Sequence, residues 1–345
     1  MPTWTDTNGN YVPDCNLANF GVNGECAGIS NTNFGQNNPN ATRYADAAIH
    51  GWGIRGNNWD FATEVQHQLS RAVSVTAGYY RNWYGNFLAT DNLEVTSADF
   101  SPYCITAPLN VALPGGGGYP VCGVYDVSLA KFGRVTNLIA QASNYGKQSQ
   151  VNKFFNVSLN TRFASGIRLG GGIDTGRTVT DTCFVVDSPQ QLLNCHVVMP
   201  FKGQTQLKLN GSLPLPYNFV VSGIYQDVSG INSTASYVAA NSELAASLGR
   251  NLASCGTRTP CTGTATVPLI AAGLLFEPRI RRLDLRLTKL VRVGPKVRVQ
   301  TNFDLYNVFN GSGIVQEIAA YGTQWRQPTE VQDPRIVQFS ANITF

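Results

Sequence analysis

Charge is scarce in this chain. Only 13% of its 345 residues are Asp, Glu, Lys or Arg, about half of the roughly 25% usual in soluble globular proteins. Methionine and histidine are nearly missing too, with 2 and 3 copies. The histidines His50, His67 and His196 are scattered, and no Ser-His-Asp or paired-carboxylate arrangement is readable, so the chain is read as non-enzymatic. A formal net charge of +4 without a basic run or nucleic-acid motif gives no case for nucleic acid as a partner. The longest clean apolar run, Val267 to Phe276, is interrupted by Pro268 and Gly273. It falls far short of the ~20 residues of a transmembrane helix. Met1-Pro2-Thr3-Trp4-Thr5-Asp6 shows no basic and apolar leader, so any export signal is expected outside this sequence.

Asn, Gln, Ser, Thr, Gly and aromatics fill the place of the missing charge. That profile fits an uncharged outer belt around a polar, non-ionic interior. The 8 cysteines fall into local pairs, Cys15/Cys26, Cys104/Cys122, Cys183/Cys195 and Cys255/Cys261, each bracketing turn-rich sequence. An even count paired locally suggests loop-stapling disulfides and an oxidising compartment, although sequence does not fix the connectivity. A metal site is the rival reading. It has little to draw on, because there is no Cys-x-x-Cys and only Cys195-His196 joins two ligand types.

The strongest pattern is two-residue alternation. Phe345, Ile343, Ala341, Phe339 and Val337 alternate with Thr344, Asn342, Ser340 and Gln338 at the end of the chain. One face of such a strand is apolar and the other polar. Similar runs begin at Trp59, Val73, Val151, Ile167, Gln204, Asn218, Arg282 and Val297, with the apolar residues on odd-numbered positions. Most reach the ~9–11 residues needed to cross a bilayer at a tilt and exceed the ~5–6 of soluble strands. Short links near Ser70-Arg71, Ser165-Gly166, Pro214-Leu215-Pro216 and Gly294-Pro295 alternate with long ones near 88–148, 183–198, 230–278 and 310–333.

Segregated loop lengths of this kind predict an all-β fold, a transmembrane antiparallel β-barrel of about nine long strands with long extracellular loops. Residues 1–57 are expected to be mainly an extracellular loop, and 58–345 the strands and loops of one barrel region. An odd strand count leaves such a barrel partial, because complete bacterial barrels have even counts. Arg162, Arg168, Asp174, Arg282, Asp284, Arg286, Arg298 and Asp304 keep to the polar face, while Lys153 and Lys289 sit near run ends where they can snorkel. Tyr79, Trp83, Tyr84 and Tyr217 are expected in interfacial aromatic girdles. Ser242 to Leu248 reads as a short helix inside a long loop.

Several stretches resemble the C-terminal barrel of TonB-dependent receptors, in particular the subgroup with an N-terminal carboxypeptidase-regulatory-like domain. They are Arg281 to Lys289, Asp304 to Asn310, Tyr321 to Trp325, Pro334-Arg335 and the terminal Phe345. Asp6 to Asn10, Pro13 to Cys15 and Asn23 to Cys26 resemble an outer loop of the same group. The resemblance implies an outer-membrane location and uptake of a bulky ligand, energised from the inner membrane. It implies outer-membrane lipid, the barrel-assembly machinery, TonB (through a plug domain) and an unidentified transported ligand as partners. Phe339 and Phe345 would form the C-terminal assembly signal. Nothing in these residues resembles the plug or the TonB box. A passive porin, a surface adhesin and a soluble secreted glycan-binding β-sandwich remain the alternatives.

Two local sites stand out. Asp6, Asn8, Asn10 and Asp14, with Gly9 between them, resemble a calcium loop, but Leu17 stands where a bidentate Glu belongs. An Asx-turn loop stapled by Cys15–Cys26 is the alternative. Arg282, Asp284, Arg286, Arg298 and Asp304 are expected to line the lumen, either along a ligand path or paired with one another. Gly115 to Gly118 has no strand–helix context and reads as a loop tip, not a phosphate loop.

Overall fold

The computed structural model describes residues 4–16, 18–19, 22–27 and 42–345. The alternating runs form strands β1 (Asn57–Ser70), β2 (Val73–Gly85), β3 (Ser149–Arg162), β4 (Arg168–Asp181), β5 (Gln206–Leu215), β6 (Phe219–Val228), β7 (Ile280–Val293), β8 (Val297–Tyr306) and β9 (Ile336–Thr344). Each pairs antiparallel with the next in chain order, and a short strand, His196–Met199, extends the far end of β4. Odd residues oppose odd and even oppose even across the junctions, as in Val75↔Leu159, Leu287↔Phe303 and Phe303↔Phe339, except at the register shift beside the first tight turn, where Ser70 opposes Val73. One shared parity gives the whole sheet an apolar face and a polar face. A one-residue slip anywhere would invert a strand.

Tight turns join alternate strands. Gly166 and Gly294 sit at φ +85° and +70°, conformations that residues with a Cβ rarely adopt. The turn between β5 and β6 places Tyr217 and Asn218 in the same region.

The sheet does not close. β1 and β9 lie at opposite ends of the strand order and do not pair with each other, so the expected transmembrane barrel is not formed. A barrel needs strand number, tilt and stagger that together carry the sheet through a full turn. Consecutive pairing of these strands leaves two free edges instead. Among the described residues the protein is almost all β, built from this open sheet and several smaller open ones. No described helix is long and apolar enough to cross a membrane, which says nothing about crossing with strands.

The long connections all leave the same end of the sheet and build a separate head. Phe100–Thr106 pairs with Pro120–Val127, and Ser236–Ala240 with Thr264–Pro268. Leu88–Asn92 pairs with Asn137–Gln141, which also takes Arg43–Tyr44, and Ile314–Glu317 pairs with Pro328–Val331. The expected short helix runs Asn241–Leu248 and ends on Gly249 in the left-handed conformation. The Glu243 carboxylate accepts a 3.0 Å hydrogen bond from the Ala240 N–H and so caps its first turn.

The buried apolar core lies in this head. Tyr103, Ile105 and Val124 meet Leu244, Val267 and Leu269 there. Distant connections are also tied by polar contacts. The Tyr119 hydroxyl donates to the Leu269 carbonyl at 2.7 Å, and the Trp325 indole to the Thr234 carbonyl at 2.9 Å.

Candidate binding surfaces

Each face of the sheet is dominated by one kind of chemistry, although Ile224 and Leu290 are exposed on the polar side and Lys153 and Lys289 share the other. On the apolar face Trp59, Phe61, Val65 and Leu69 of β1, Phe155, Val157 and Leu159 of β3, and Phe339 and Ile343 of β9 are all exposed. Tyr79 lies between Phe61 and Phe155 on this face, with ring centroids at 6.4 and 5.0 Å. Tyr84 is even-numbered and pairs with Asn58 and Gln150, so it falls on the polar face and outside an apolar-face girdle.

The polar face is knitted by amides and hydroxyls. Asn152 donates to Asn82 at 3.1 Å, Asn156 to Asp174 at 2.7 Å, Thr288 to Asn302 at 2.9 Å and Asn302 to Ser340 at 3.1 Å. The predicted lumen residues lie on this face, but an open sheet encloses no lumen. The Arg282 Nε donates to both oxygens of Asp284 at 2.9 Å, and Arg286 grips Asp304, whose side chain is buried. Asp284, Arg286 and Asp304 border a cleft of about 370 Å³ that also includes Ser222 and Tyr306. Arg298 takes no part in them and sits directly opposite Arg292.

In the N-terminal loop, the oxygens proposed for calcium serve the loop's own donors. Asp6 accepts from the N–H groups of Gly9 at 2.7 Å and Tyr11 at 2.9 Å. Asn8 and Asn10 accept from the N–H two residues on, and both donate their amides to Asp14. These are Asx turns. Glu25, which sequence spacing missed, enters the loop through its neighbour Cys26, bridged to Cys15. It accepts from the Thr7 N–H at 2.7 Å and the Asp14 N–H at 3.2 Å. The Thr7 hydroxyl, followed by these N–H groups, holds its carboxyl below the usual range. Among the described residues, no group of three or more His, Cys, Asp or Glu is placed to hold a metal ion. Leu17 lies outside the described residues.

The cysteines bridge as Cys15–Cys26, Cys104–Cys122, Cys183–Cys195 and Cys255–Cys261. Phe339 stacks on Phe303 at 5.1 Å, and Phe345 lies past the last paired residue, almost fully exposed.

The head also holds an ionic cluster that no local motif announces. Arg326 pairs with Glu277, whose side chain is 4% exposed, and Ser233 donates to the same carboxylate oxygen at 3.3 Å. Both carboxylate oxygens of Glu317 are buried nearby without a hydrogen-bond partner, and burial pushes that carboxyl up. Tyr237 meets Tyr321 edge to face at 5.8 Å between centroids, and Tyr321 meets Trp325 at a tilt at 5.2 Å. The Tyr237 hydroxyl, bound to Glu243 at 2.6 Å, is pushed up to about 12, first by that hydrogen bond and then by burial.

No protein-family model and no curated protein matches this chain. Among solved structures, it is similar to the outer-membrane transporter YddB of Escherichia coli, with a TM-score of 0.42 and 9% identity over 88% of this chain and 34% of that one. It is also similar to the ferripyoverdine receptor of the outer membrane of Pseudomonas aeruginosa, with a TM-score of 0.39 and 12% identity over 84% of this chain and 27% of that one. The chain therefore spans about a third of the length of these proteins or less. Such scores fall short of a common fold, although both neighbours are outer-membrane proteins.

The expected kinship with TonB-dependent receptors is thus corrected. Energised uptake of a bulky ligand needs an enclosing wall, and the sheet is open. TonB acting through a plug, a transported ligand, the barrel-assembly machinery reading Phe339 and Phe345, and a lipid annulus around a closed wall all presuppose that barrel. They fall with it.

Proposed function

We propose that this chain is a non-enzymatic binding module displayed at the bacterial outer membrane, of the adhesin kind. The sheet serves as its mount and the disulfide-stapled head as its recognition surface. The observation that carries this reading is the apolar face, whose aromatic and aliphatic residues stay exposed while the buried core sits wholly in the head. A contiguous apolar surface of this size marks a membrane or partner contact. The head has the complementary properties of a displayed element. It is cross-linked and built on a core of its own.

Fractionation tests the reading. The protein should stay in urea-washed membranes, and protease added to intact cells should remove the head. A monomeric product recovered entirely in the soluble fraction would overturn it. The amide and hydroxyl network of the polar face favours a second reading, a secreted binder of neutral glycans. Retention of that soluble product on a neutral glycan array would support it.

A further inference from the structure

The sheet is strongly polarised in charge along its strands. In the half that carries the tight turns, from Val65 to Gly78, Val157 to Ile173, Asn210 to Ile224, Thr288 to Asn302 and Phe339 to Thr344, there is no Asp or Glu. The same segments hold Arg71, Arg162, Arg168, Lys289, Arg292, Lys296 and Arg298. Lys289 is engaged, donating to the Tyr217 carbonyl and lying 4.2 Å over the Phe219 ring. The other six are exposed and enter none of the salt bridges of the described residues.

Four of them are set against one another. Arg162 of β3 directly opposes Arg168 of β4, and Arg292 of β7 directly opposes Arg298 of β8. Directly opposed residues of an antiparallel pair have Cβ atoms only ~4.5–5.5 Å apart, and like charges there destabilise the pair. Arg71 joins the first pair by lining, with Arg162, a cleft of about 210 Å³ at the adjacent turn. Lys296 sits in the turn of the second. Two arginines directly opposed across the ladder, with a third cation near by and no Asp or Glu in these segments, suit the oxygens of a phosphate, which accept paired N–H donors from arginine.

We infer that the short-turn rim carries two phosphate-binding sites, one at Arg162 and Arg168 with Arg71 beside them, the other at Arg292 and Arg298 with Lys296. The bound anion relieves the repulsion within each pair. A phosphodiester headgroup of net negative charge, with no ammonium of its own to neutralise it, and free inorganic phosphate both supply this chemistry. The inference does not depend on the adhesin reading, since a soluble chain would carry the same pairs.

The test uses the full chain in an uncharged detergent, titrated separately with phosphatidylglycerol, phosphatidylcholine and inorganic phosphate. Binding is read by native mass spectrometry and thermal melting. Phosphatidylglycerol or inorganic phosphate should bind and raise the melting temperature, and whichever binds tighter identifies the source. Phosphatidylcholine should do neither. Neutralising one pair, Arg162→Gln with Arg168→Gln, should weaken binding at that site about thirtyfold. Arg168→Gln alone should melt higher than the parent without anion, a gain that a merely misfolded variant does not show. Arg43→Gln with Arg55→Gln, exposed arginines outside this half of the sheet, should change nothing. The inference is overturned if no phosphate species binds above the phosphatidylcholine level, or if that outlying pair matters as much as Arg162 and Arg168.

Discussion

The head and the sheet solve the same problem in opposite ways. The head gathers Tyr103, Val124, Leu244 and Val267 from different connections into a closed core. The sheet is held by its ladder hydrogen bonds and the polar network of one face, and it leaves the other face uncovered. A protein in water is held together mainly by burying apolar surface. A sheet with no buried apolar face must therefore draw on a second medium or a partner. The head needs neither.

Core truncation should expose this contrast most strongly. Leu244→Ala empties a fully buried position and should cost about 2–5 kcal/mol in denaturant unfolding. Val157→Ala, on the open face, should change the same midpoint far less. Equal losses would show that the sheet face is covered and would break the comparison.

Adding charge sharpens it from the other side. Val157→Arg should cost about 2–4 kcal/mol if that face meets hydrocarbon and within about 0.5 kcal/mol if it meets water. Refolding into bilayers and into detergent-free buffer separates these outcomes.

The head's disulfides should matter to the head and not to the sheet. Replacing Cys104 and Cys122 by Ser removes a bridge closing 18 residues and should cost about 3 kcal/mol in the chain-entropy account. Limited proteolysis should then cut first near residues 100–127, with β1 to β9 still protected. Early cleavage within the strands would contradict independent stabilisation.

The smallest effect concerns pH. Glu317 has a raised pKa in the folded head because its carboxyl is buried. The folded state therefore holds the proton more tightly than the unfolded chain. Stability at this residue should be lowest above the raised value and recover as pH falls towards the ordinary value of 4.5. Glu317→Gln should stabilise the head at pH 7 by about 1 kcal/mol or less and flatten that dependence. Asp99, lowered by hydrogen bonds at Thr96, should act in the opposite direction and lose its contribution as pH falls through its depressed value. Thermal melts of the single variants against pH check both signs.

The strand positions could be read from the chain because strand alternation is local. Each of β1 to β9 coincides with a run of alternating apolar and polar residues, and the tight turns fall where Gly166 and Gly294 sit. The head could not be read in this way. Its strands span only 2 to 8 residues, too short for a period to emerge. Glu277 meets Arg326 across 49 positions, and Asp126 meets Arg250 across 124. The N-terminal loop shows a subtler limit. The Asp6, Asn8, Asn10 and Asp14 spacing is real, and backbone N–H groups and the Asn amides donate to these oxygens, a partner set that spacing alone does not reveal.

The sequence by itself determined which side chains share a face, because a pleated strand sends neighbours to opposite sides whatever surrounds it. Parity and turn positions follow from that local geometry. Only the tertiary structure decided that the wall stays open and that the long connections fold into a head with its own core. Closure depends on the summed twist and stagger of all the strands, and a core depends on contacts between distant segments. Neither is a property of any one stretch of chain.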